Sequence, residues 1–328
     1  MPSLVSINSH GLRSQDRRAT TFSSLRRNRY DIILLQETHW TDEIQDDILR
    51  EWNGDIYFSN GTNSARGVAI LLNPRLDYNL TQTKHDTTGR VINITIELED
   101  QTLCITNIYA PRTDTERKQF YLNLDPYLAT KNYNIIGGDF NCITNTRLDK
   151  LGGNPDARQT ANTELYTIAA KHDLTDIWRD RNPDTRGFTW TGRHPTDNTI
   201  IRTRIDKFMV NKAMTHVITN TEIKPYAHSD HDSITMTLDF GQQKRGPGYW
   251  HFNNSLLTDA LLDAEIQHFW TYWLTRKNDY DNPLIWWDKA KQHFKRISIK
   301  HSTARRKTQR NERSQLERNL ITLQQKAA

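Results

Sequence analysis

Two histidines and two aspartates fall within five residues of the stretch YAHSDHDSITMTL, which runs from Tyr226 to Leu238. Such a cluster can hold a metal ion, transfer a proton or solvate a turn. The residues after it alternate between apolar side chains and threonines, which predicts a half-buried strand. The cluster therefore lies in a loop that leads into a strand, where a rigid sheet can hold catalytic side chains.

Five further segments place polar residues of similar chemistry at or near predicted strand ends. The segments are VSINSHGLRS, IILLQETHW, CITNIYAPR, YNIIGGDFNC and TRIDKFMV, and their candidate residues are Asn8, Glu37, Tyr109, Asp139, Asn141 and Asp206. Each residue taken singly fits a turn, a helix cap or a solvated strand position. Together they predict a strongly acidic pocket, which is costly unless a hard cation neutralises it.

The elements that position these residues are mostly short strands. The predicted strands are Leu4–Asn8, Ile32–Gln36, Ile56–Ser59, Gly67–Leu72, Tyr78–Lys84, Val91–Leu98, Thr102–Tyr109, Tyr133–Gly138, Leu174–Trp178, Thr189–Thr191, Arg204–Val210, His216–Ile223 and Ser233–Asp239. The predicted helices are Gln15–Arg27, Thr41–Trp52, Thr115–Leu128 and Gln159–His172. Many strands with few helices indicate an α/β fold of two packed sheets flanked by helices.

The composition limits the class of protein and the cellular compartment. The 328 residues are 35% hydrophobic with a mean hydropathy of −0.80. Since the sequence contains no apolar run of about 18 residues and no signal-peptide pattern at its start, we expect neither membrane insertion nor secretion. The distant Cys104 and Cys142 fit buried thiols in a reducing compartment. We expect a nuclear location, with transit through the cytoplasm.

The chain is predicted to have three parts. A body of residues 1–240 ends before GQQKRGPGYW, whose Gly, Pro and Lys are typical of a linker. Residues 241–283 form this linker and a Trp-rich helix, and residues 284–328 form a basic tail of one or two long helices. From Leu284 to Ala328 there are 12 Lys/Arg and 3 Asp/Glu. This balance fits an RNA or DNA partner, and equally a solvated basic helix.

Six motifs carry a family resemblance. SINSHGLRS, LLQETH, NIYAPR, GGDFN, RIDKFMV and SDHDS occur in that order between Leu4 and Leu238. In these motifs the chain resembles the endonuclease/exonuclease/phosphatase superfamily, and most closely the apurinic-type, exonuclease III-like endonuclease domain of non-LTR retrotransposons. GPGYWHFNNSLL and WWDKAKQHFKRISIKHSTARRK resemble the segment that joins that domain to a reverse transcriptase.

The resemblance implies a four-layered α/β sandwich and magnesium-dependent hydrolysis of a DNA phosphodiester, with Mn²⁺ as an alternative ion. The implied metal-binding residues are Asn8, Glu37, Asp139, Asn141 and Asp230. The implied catalytic residues are Tyr109, Asp139, Asn141, Asp206 and His231. Asp139 would align or deprotonate the attacking water, while Asn141 and Tyr109 would hydrogen-bond the phosphate or the leaving oxygen.

Within SDHDS, only Asp230 and His231 match the motif, whereas His228 and Asp232 are expected to solvate the loop. Asp206 is expected to hydrogen-bond His231 and raise the pKa of the imidazole, which favours an imidazolium that stabilises the phosphate. The chain departs from the family at His10, where an aspartate or asparagine is usual. We expect this change to leave activity intact because it does not alter Glu37.

Double-stranded DNA is the partner that the resemblance implies for the body. RHPTDNTIIRTR resembles a hairpin that inserts into the minor groove, and the candidate DNA-binding residues are Thr189, Arg193, Arg202 and Arg204. Two other functions stay open. One is a repair enzyme that cuts at abasic sites and has 3′-5′ exonuclease activity; the other is a non-catalytic nucleic-acid-binding remnant of a mobile element.

Overall fold

The computed structural model describes residues 1–128, 133–153, 162–241 and 252–326. The chain divides into two compact units, Met1–Gln242 and Gln243–Lys326. Most of the predicted linker, and residues 159–161 of a predicted helix, lie outside the described residues. Within the described residues, no helix has the length and apolar character needed to cross a bilayer.

The strands of the described residues all lie in the first unit. They are β1 (Ser3–Asn8), β2 (Ile32–Gln36), β3 (Ile56–Ser59), β4 (Val68–Leu72), β5 (Asn79–His85), β6 (Val91–Leu98), β7 (Gln101–Tyr109), β8 (Tyr133–Asp139), β9 (Lys150–Leu151), β10 (Leu174–Asp176), β11 (Trp190–Arg193), β12 (Ile200–Thr203), β13 (Asp206–Asn211), β14 (Ile218–Lys224) and β15 (Ser233–Leu238). The α-helices are α1 (Gln15–Asn28), α2 (Gln45–Glu51), α3 (Asp114–Leu122), α4 (Asn162–Lys171), α5 (Ile177–Arg181), α6 (Ala260–Thr275) and α7 (Pro283–Lys326).

Two mixed six-stranded sheets form the centre of the first unit. Their strand orders are β14-β15-β1-β2-β4-β3 and β10-β13-β8-β7-β6-β5. The largest apolar cluster lies between them and contains Leu34 and Ile70 from one sheet and Ile94 and Ile105 from the other. These strands carry branched apolar side chains because both of their faces are covered.

Helices cover the outer face of each sheet. Phe22 and Leu25 of α1 pack with Ile33 of β2 in one cluster. Tyr121 of α3 and Leu165 of α4 pack with residues of the second sheet in another. The order helix, sheet, sheet, helix is the predicted four-layered sandwich.

Several predicted elements needed correction. The predicted strand Leu174–Trp178 ends at Asp176, because the Asp176 side chain accepts a hydrogen bond from the Arg179 amide and caps α5. The predicted helices Thr41–Trp52 and Thr115–Leu128 each divide into a 3₁₀ turn and a shorter α-helix. The strands β9 and β12 were not predicted; they pair with each other, and β12 also pairs with β11.

The strand that contains the glycine pair of GGDFN extends one residue beyond its predicted end at Gly138. Gly137 and Gly138 lie inside β8, which continues to Asp139. A Cβ on Gly138, which has φ of +139°, would lie 2.1 Å from the Ile108 carbonyl oxygen of β7. Glycine is therefore required here for the close approach of two parallel strands.

The second unit is a pair of helices joined by an aromatic cluster. α7 is a single helix of 44 residues, and α6 is the predicted Trp-rich helix. Trp273 of α6 packs with Trp286 and Ala290 of α7, and Phe269 stacks on Trp273. This small core stabilises two helices that would be marginal alone in water.

Candidate active site

Strand register brings the motifs together. In the first sheet, β1 and β2 run parallel with Asn8 opposite Gln36, so Glu37 follows directly beside Asn8. In the second sheet, Asp139 lies opposite Tyr109 on one side and opposite Asp206 on the other. The polar residues thus meet because each of them ends or begins a strand at the same edge of the two sheets.

One amide connects the two sheets. The Asn8 Nδ2 group donates to Glu37 Oε1 and to Asp139 Oδ2, both at 3.1 Å. All three side chains are buried. Two carboxylates at hydrogen-bonding distance from one amide nitrogen form a compact acidic centre.

Four neighbours keep Glu37 ionised. Burial alone would raise the pKa of Glu37, but hydrogen bonds from His39, Tyr109 and Asn8 and the charge of Arg112 hold it well below its usual range. The Arg112 guanidinium lies 3.2 Å from Glu37 Oε1. The Tyr109 hydroxyl, predicted to contact the phosphate, bonds to Glu37 in this structure, and burial beside that charge raises the pKa of Tyr109.

The pKa of Asp139 is shifted in the opposite direction to that of Glu37. Burial and the nearby charge of Asp206 raise the pKa of Asp139. The Asn141 amide N–H donates to Asp139 Oδ1 at 2.8 Å, which fixes the carboxylate plane. The Asn141 side chain donates to the Ala110 carbonyl at 2.9 Å. Asp139 is therefore a carboxylate with increased proton affinity.

His231 forms a buried pair with Asp206. Its Nδ1 lies 2.9 Å from Asp206 Oδ2. Burial would lower the pKa of His231, but the Asp206 carboxylate outweighs burial and raises that pKa to about 9. Ligand atoms of Asp139, Asp206 and His231 all lie within 4.8 Å of one another. The imidazole is therefore held as a cation beside the acidic centre.

Thr189 does not reach outward to a nucleotide as predicted. It is buried, and its hydroxyl accepts hydrogen bonds from the backbone amides of Ile205 at 3.1 Å and Asp206 at 3.0 Å. Its carbonyl accepts from the Asp232 amide at 2.7 Å. Thr189 thus connects the strand that carries Asp206 to the loop that carries His231.

Asp230 makes contacts outside the acidic centre. One of its oxygens accepts from the Trp190 indole at 2.8 Å, and the other lies 3.5 Å from His10 Nδ1. The unusual His10 is therefore the partner of another motif residue. Asp230 as a metal ligand stays a prediction, since both of its oxygens have other partners here.

The three predicted DNA-binding arginines differ in exposure. Arg193 is exposed on the β11–β12 hairpin, while Arg202 is buried. Arg204 is fully buried and pairs with Asp149 at 2.8 Å and Asp176 at 2.7 Å. The structure corrects the prediction for Arg204, because its charge is used inside the protein and does not reach the surface.

The arginines beside the acidic centre were not predicted from the sequence. A cleft of about 300 Å³ is lined by Glu37 and Tyr109 together with Arg66, Arg90 and Arg112. Burial and the nearby Arg66 lower the pKa of Arg90, whose guanidinium stacks over Tyr109. Of the three, only Arg112 belongs to one of the quoted motifs, as the last residue of NIYAPR, so only Arg112 could have been signalled by the sequence.

The donor set fits a hard divalent cation. The candidate ligands Glu37, Asp139, Asn8 and Asn141 offer carboxylate and amide oxygens, the ligands preferred by Mg²⁺ and Mn²⁺. The pKa of Asp139 is raised by burial and by the nearby charge of Asp206, and a bound cation would offset both effects.

Comparison with known proteins gives the family. Residues 5–231 match the Endonuclease/Exonuclease/phosphatase family. The chain belongs to this family. It is 29% identical over 296 residues to the transposon TX1 uncharacterized 149 kDa protein of Xenopus laevis, covering 89% of this chain and 22% of that protein. The chain therefore spans about a fifth of that relative.

Two further comparisons cover nearly the whole of the matched proteins. The chain is 25% identical over 256 residues to an exodeoxyribonuclease of Bacillus subtilis, covering 72% of this chain and 99% of that enzyme. An AP endonuclease from Archaeoglobus fulgidus superposes with a TM-score of 0.55 at 18% identity, covering 73% of this chain and all of that one. The predicted family and the predicted four-layered fold are both confirmed.

Proposed function

We propose that this member of the Endonuclease/Exonuclease/phosphatase family is a magnesium-dependent endonuclease that hydrolyses a phosphodiester and nicks double-stranded DNA, of the non-LTR retrotransposon type. The observation that carries the proposal is the meeting of Asn8, Glu37 and Asp139 with the Asp206–His231 pair. The transposon relative and the exodeoxyribonuclease support the substrate class.

A divalent ion would be held by Glu37 with Asn8, Asp139 and Asn141, and when bound would polarise a phosphate oxygen and lower the pKa of water. Glu37 suits this role because its low pKa keeps it ionised at any physiological pH. The Asn8 amide holds Glu37 and Asp139 at a fixed separation.

Asp139 is the proposed general base. Burial and the Asp206 charge raise the pKa of this carboxylate, and with the ion held chiefly by Glu37 it can take a proton from the attacking water. The backbone N–H of Asn141 donates to Oδ1 of that carboxylate and Asn8 Nδ2 donates to Oδ2, so both oxygens are held in position. Asn141 is thus proposed to orient the base.

His231 is the proposed stabiliser of charge on the phosphate. With Nδ1 bonded to Asp206, the imidazolium directs its Nε2–H away from the pair and donates it to a non-bridging phosphate oxygen. Arg66, Arg90 and Arg112 add positive charge on the Glu37 side, where the neighbouring strand phosphates would lie.

A plasmid-nicking assay tests the proposal. We expect conversion of supercoiled to open-circular plasmid with Mg²⁺ or Mn²⁺, none with EDTA, and loss of more than about 100-fold in rate for Glu37→Ala and for His231→Ala. Metal-dependent nicking that survives both substitutions would refute the site. Circular dichroism of each variant controls for folding.

The second candidate is an abasic-site endonuclease with 3′-5′ exonuclease activity. The fold similarity to an AP endonuclease and the exodeoxyribonuclease relative favour it. Matched duplexes with and without one abasic site distinguish the two, since a repair enzyme would cut the abasic duplex far faster. For either activity we propose a nuclear location, which imaging of a tagged full chain would test.

A further inference from the structure

The long helix α7 carries an uninterrupted cationic segment. Between Lys289 and Asn311 there are nine Lys/Arg and no Asp/Glu: Lys289, Lys291, Lys295, Arg296, Lys300, Arg305, Arg306, Lys307 and Arg310. All nine side chains are exposed. The mutual repulsion of these cations destabilises the helix, so other contacts must stabilise it.

The apolar side of α7 is already occupied. Trp286, Ala290 and Phe294 follow one another at intervals of four residues and pack against Trp273 and Phe269 of α6. The packed stripe fixes which side of α7 faces solvent. The side that faces solvent carries cations together with exposed apolar residues such as Ile285 and Ile299.

Five of the cations form what we call the cationic face: Lys289, Arg296, Arg306, Lys307 and Arg310. At about 100° per residue, they lie within about 100° of one another around the axis, on the side opposite the aromatic stripe. Within the described chain none of the five side chains makes an ion pair or a hydrogen bond. By contrast, Lys291 pairs with Asp288 at 2.7 Å and Arg305 with Asp259 at 3.2 Å.

We infer that the cationic face is a second nucleic-acid site, distinct from the nuclease centre, which binds the phosphate backbone of a double helix. From Lys289 to Arg310 the face is about 32 Å long, at about 1.5 Å per residue. That length spans about nine base pairs, so the row of cations can contact phosphates over most of one turn of the double helix. The inference does not require the proposed nuclease activity.

The test compares two matched double variants of the full chain in a Glu37→Gln background, so that cleavage does not consume the ligand. The first, Arg296→Gln/Lys307→Gln, removes two charges from the cationic face. The control, Lys291→Gln/Arg305→Gln, removes two ion-paired charges from the same helix. Binding of a 20-base-pair DNA duplex and an RNA duplex is measured by fluorescence anisotropy between 50 and 200 mM salt.

We expect the face variant to bind about tenfold more weakly, with a salt-dependence slope reduced by about two, and the control to change less than half as much. The charge-conserving variant Arg296→Lys/Lys307→Arg should bind like the parent. Tighter binding of the DNA duplex or of the RNA duplex would identify the nucleic acid that this face binds. Either preference supports the inference.

Three results would overturn it. One is equal weakening by the two double variants, since a general charge effect would explain that. Another is an unchanged slope in the face variant with α-helical circular dichroism intact. The third is binding to vesicles containing phosphatidylserine as tight as binding to either duplex. None of these results depends on whether the chain cuts DNA.

Discussion

The ion pair between His231 and Asp206 makes the stability of the protein depend on pH. The imidazole is protonated in the fold up to about pH 9, whereas an unperturbed histidine loses its proton near pH 6.5. A raised folded-state pKa stabilises the protein fully below pH 6.5, and the contribution is lost as the pH rises through about 9. Asp206 makes the largest contribution to the raised pKa, and the charges of Asp139 and Asp230 add to it.

We therefore predict that His231→Gln costs more stability at about pH 6 than at about pH 9.5, because the lost ion pair exists only at the lower pH. Urea unfolding of wild type and variant in EDTA at both pH values measures the difference. A stability gap that is equal at the two pH values would show that His231 is neutral in the fold.

Thr189 offers a sharper test of positioning. Thr189→Val keeps the shape but removes the hydroxyl that accepts from the Ile205 and Asp206 amides. We predict that kcat for nicking falls about tenfold with little change in KM, because Asp206 and His231 lose their fixed relation.

The control for Thr189 is Thr189→Ser, which keeps the hydroxyl and should recover most of the rate. In an Asp206→Asn background, Thr189→Val should add little further loss, since both changes act through the same pair. Full additivity would assign Thr189 only a general structural role.

At the scale of elements, loops that leave strands aim the site residues. Glu37, His39 and Asn141 have positive φ values of 50°, 55° and 47°. Such left-handed conformations are uncommon for residues with a Cβ and cost about 1–3 kcal/mol each. These conformations persist because the neighbouring strands fix the chain on either side. They direct the side chains into the pocket soon after each strand ends.

The buried pairs of Arg204 support the start of β13. Arg204 holds Asp149 in the turn before β9 and Asp176 at the cap of α5. We predict that Arg204→Met lowers the free energy of unfolding by about 3–5 kcal/mol, because it removes the buried charge that pairs with both Asp149 and Asp176 and leaves Arg179 as the remaining cation beside Asp149. Urea denaturation measures this loss.

Arg193→Met is the matched control, because Arg193 is exposed on the neighbouring hairpin. It should leave stability within about 0.5 kcal/mol and weaken DNA binding modestly. If Arg204→Met instead kept full stability and lost DNA affinity, the original DNA-binding prediction for Arg204 would be restored.

For the whole molecule, every candidate catalytic residue lies in the unit Met1–Gln242, and the cationic face lies in the other unit. We predict that residues 1–241 alone retain metal-dependent nicking at low salt, with a shallower dependence of activity on salt than the full chain. Plasmid nicking from 25 to 200 mM salt compares the two. Loss of all nicking by a folded 1–241 fragment would show that the second unit contributes to catalysis.

The sequence could predict most elements because their signals are local. Alternation and apolar runs located nearly all strands, and the 3.6-residue pattern located the main helices within a few residues. The predicted strand through Trp178 failed since Asp176 caps a helix there, and β9 was missed since its pairing partner β12 is distant in sequence.

By itself the sequence determined which chemical groups the site contains: six motifs supply the carboxylates, amides, phenol and imidazole, and residue type alone sets that chemistry. Tertiary structure decided which groups meet and in what state. The Asp139 register, the burial of Thr189 and Arg204, and the arginines beside Glu37 all depend on packing between distant segments. Burial and proximity set pKa values and accessibility, and neither can be read from the order of residues along a chain.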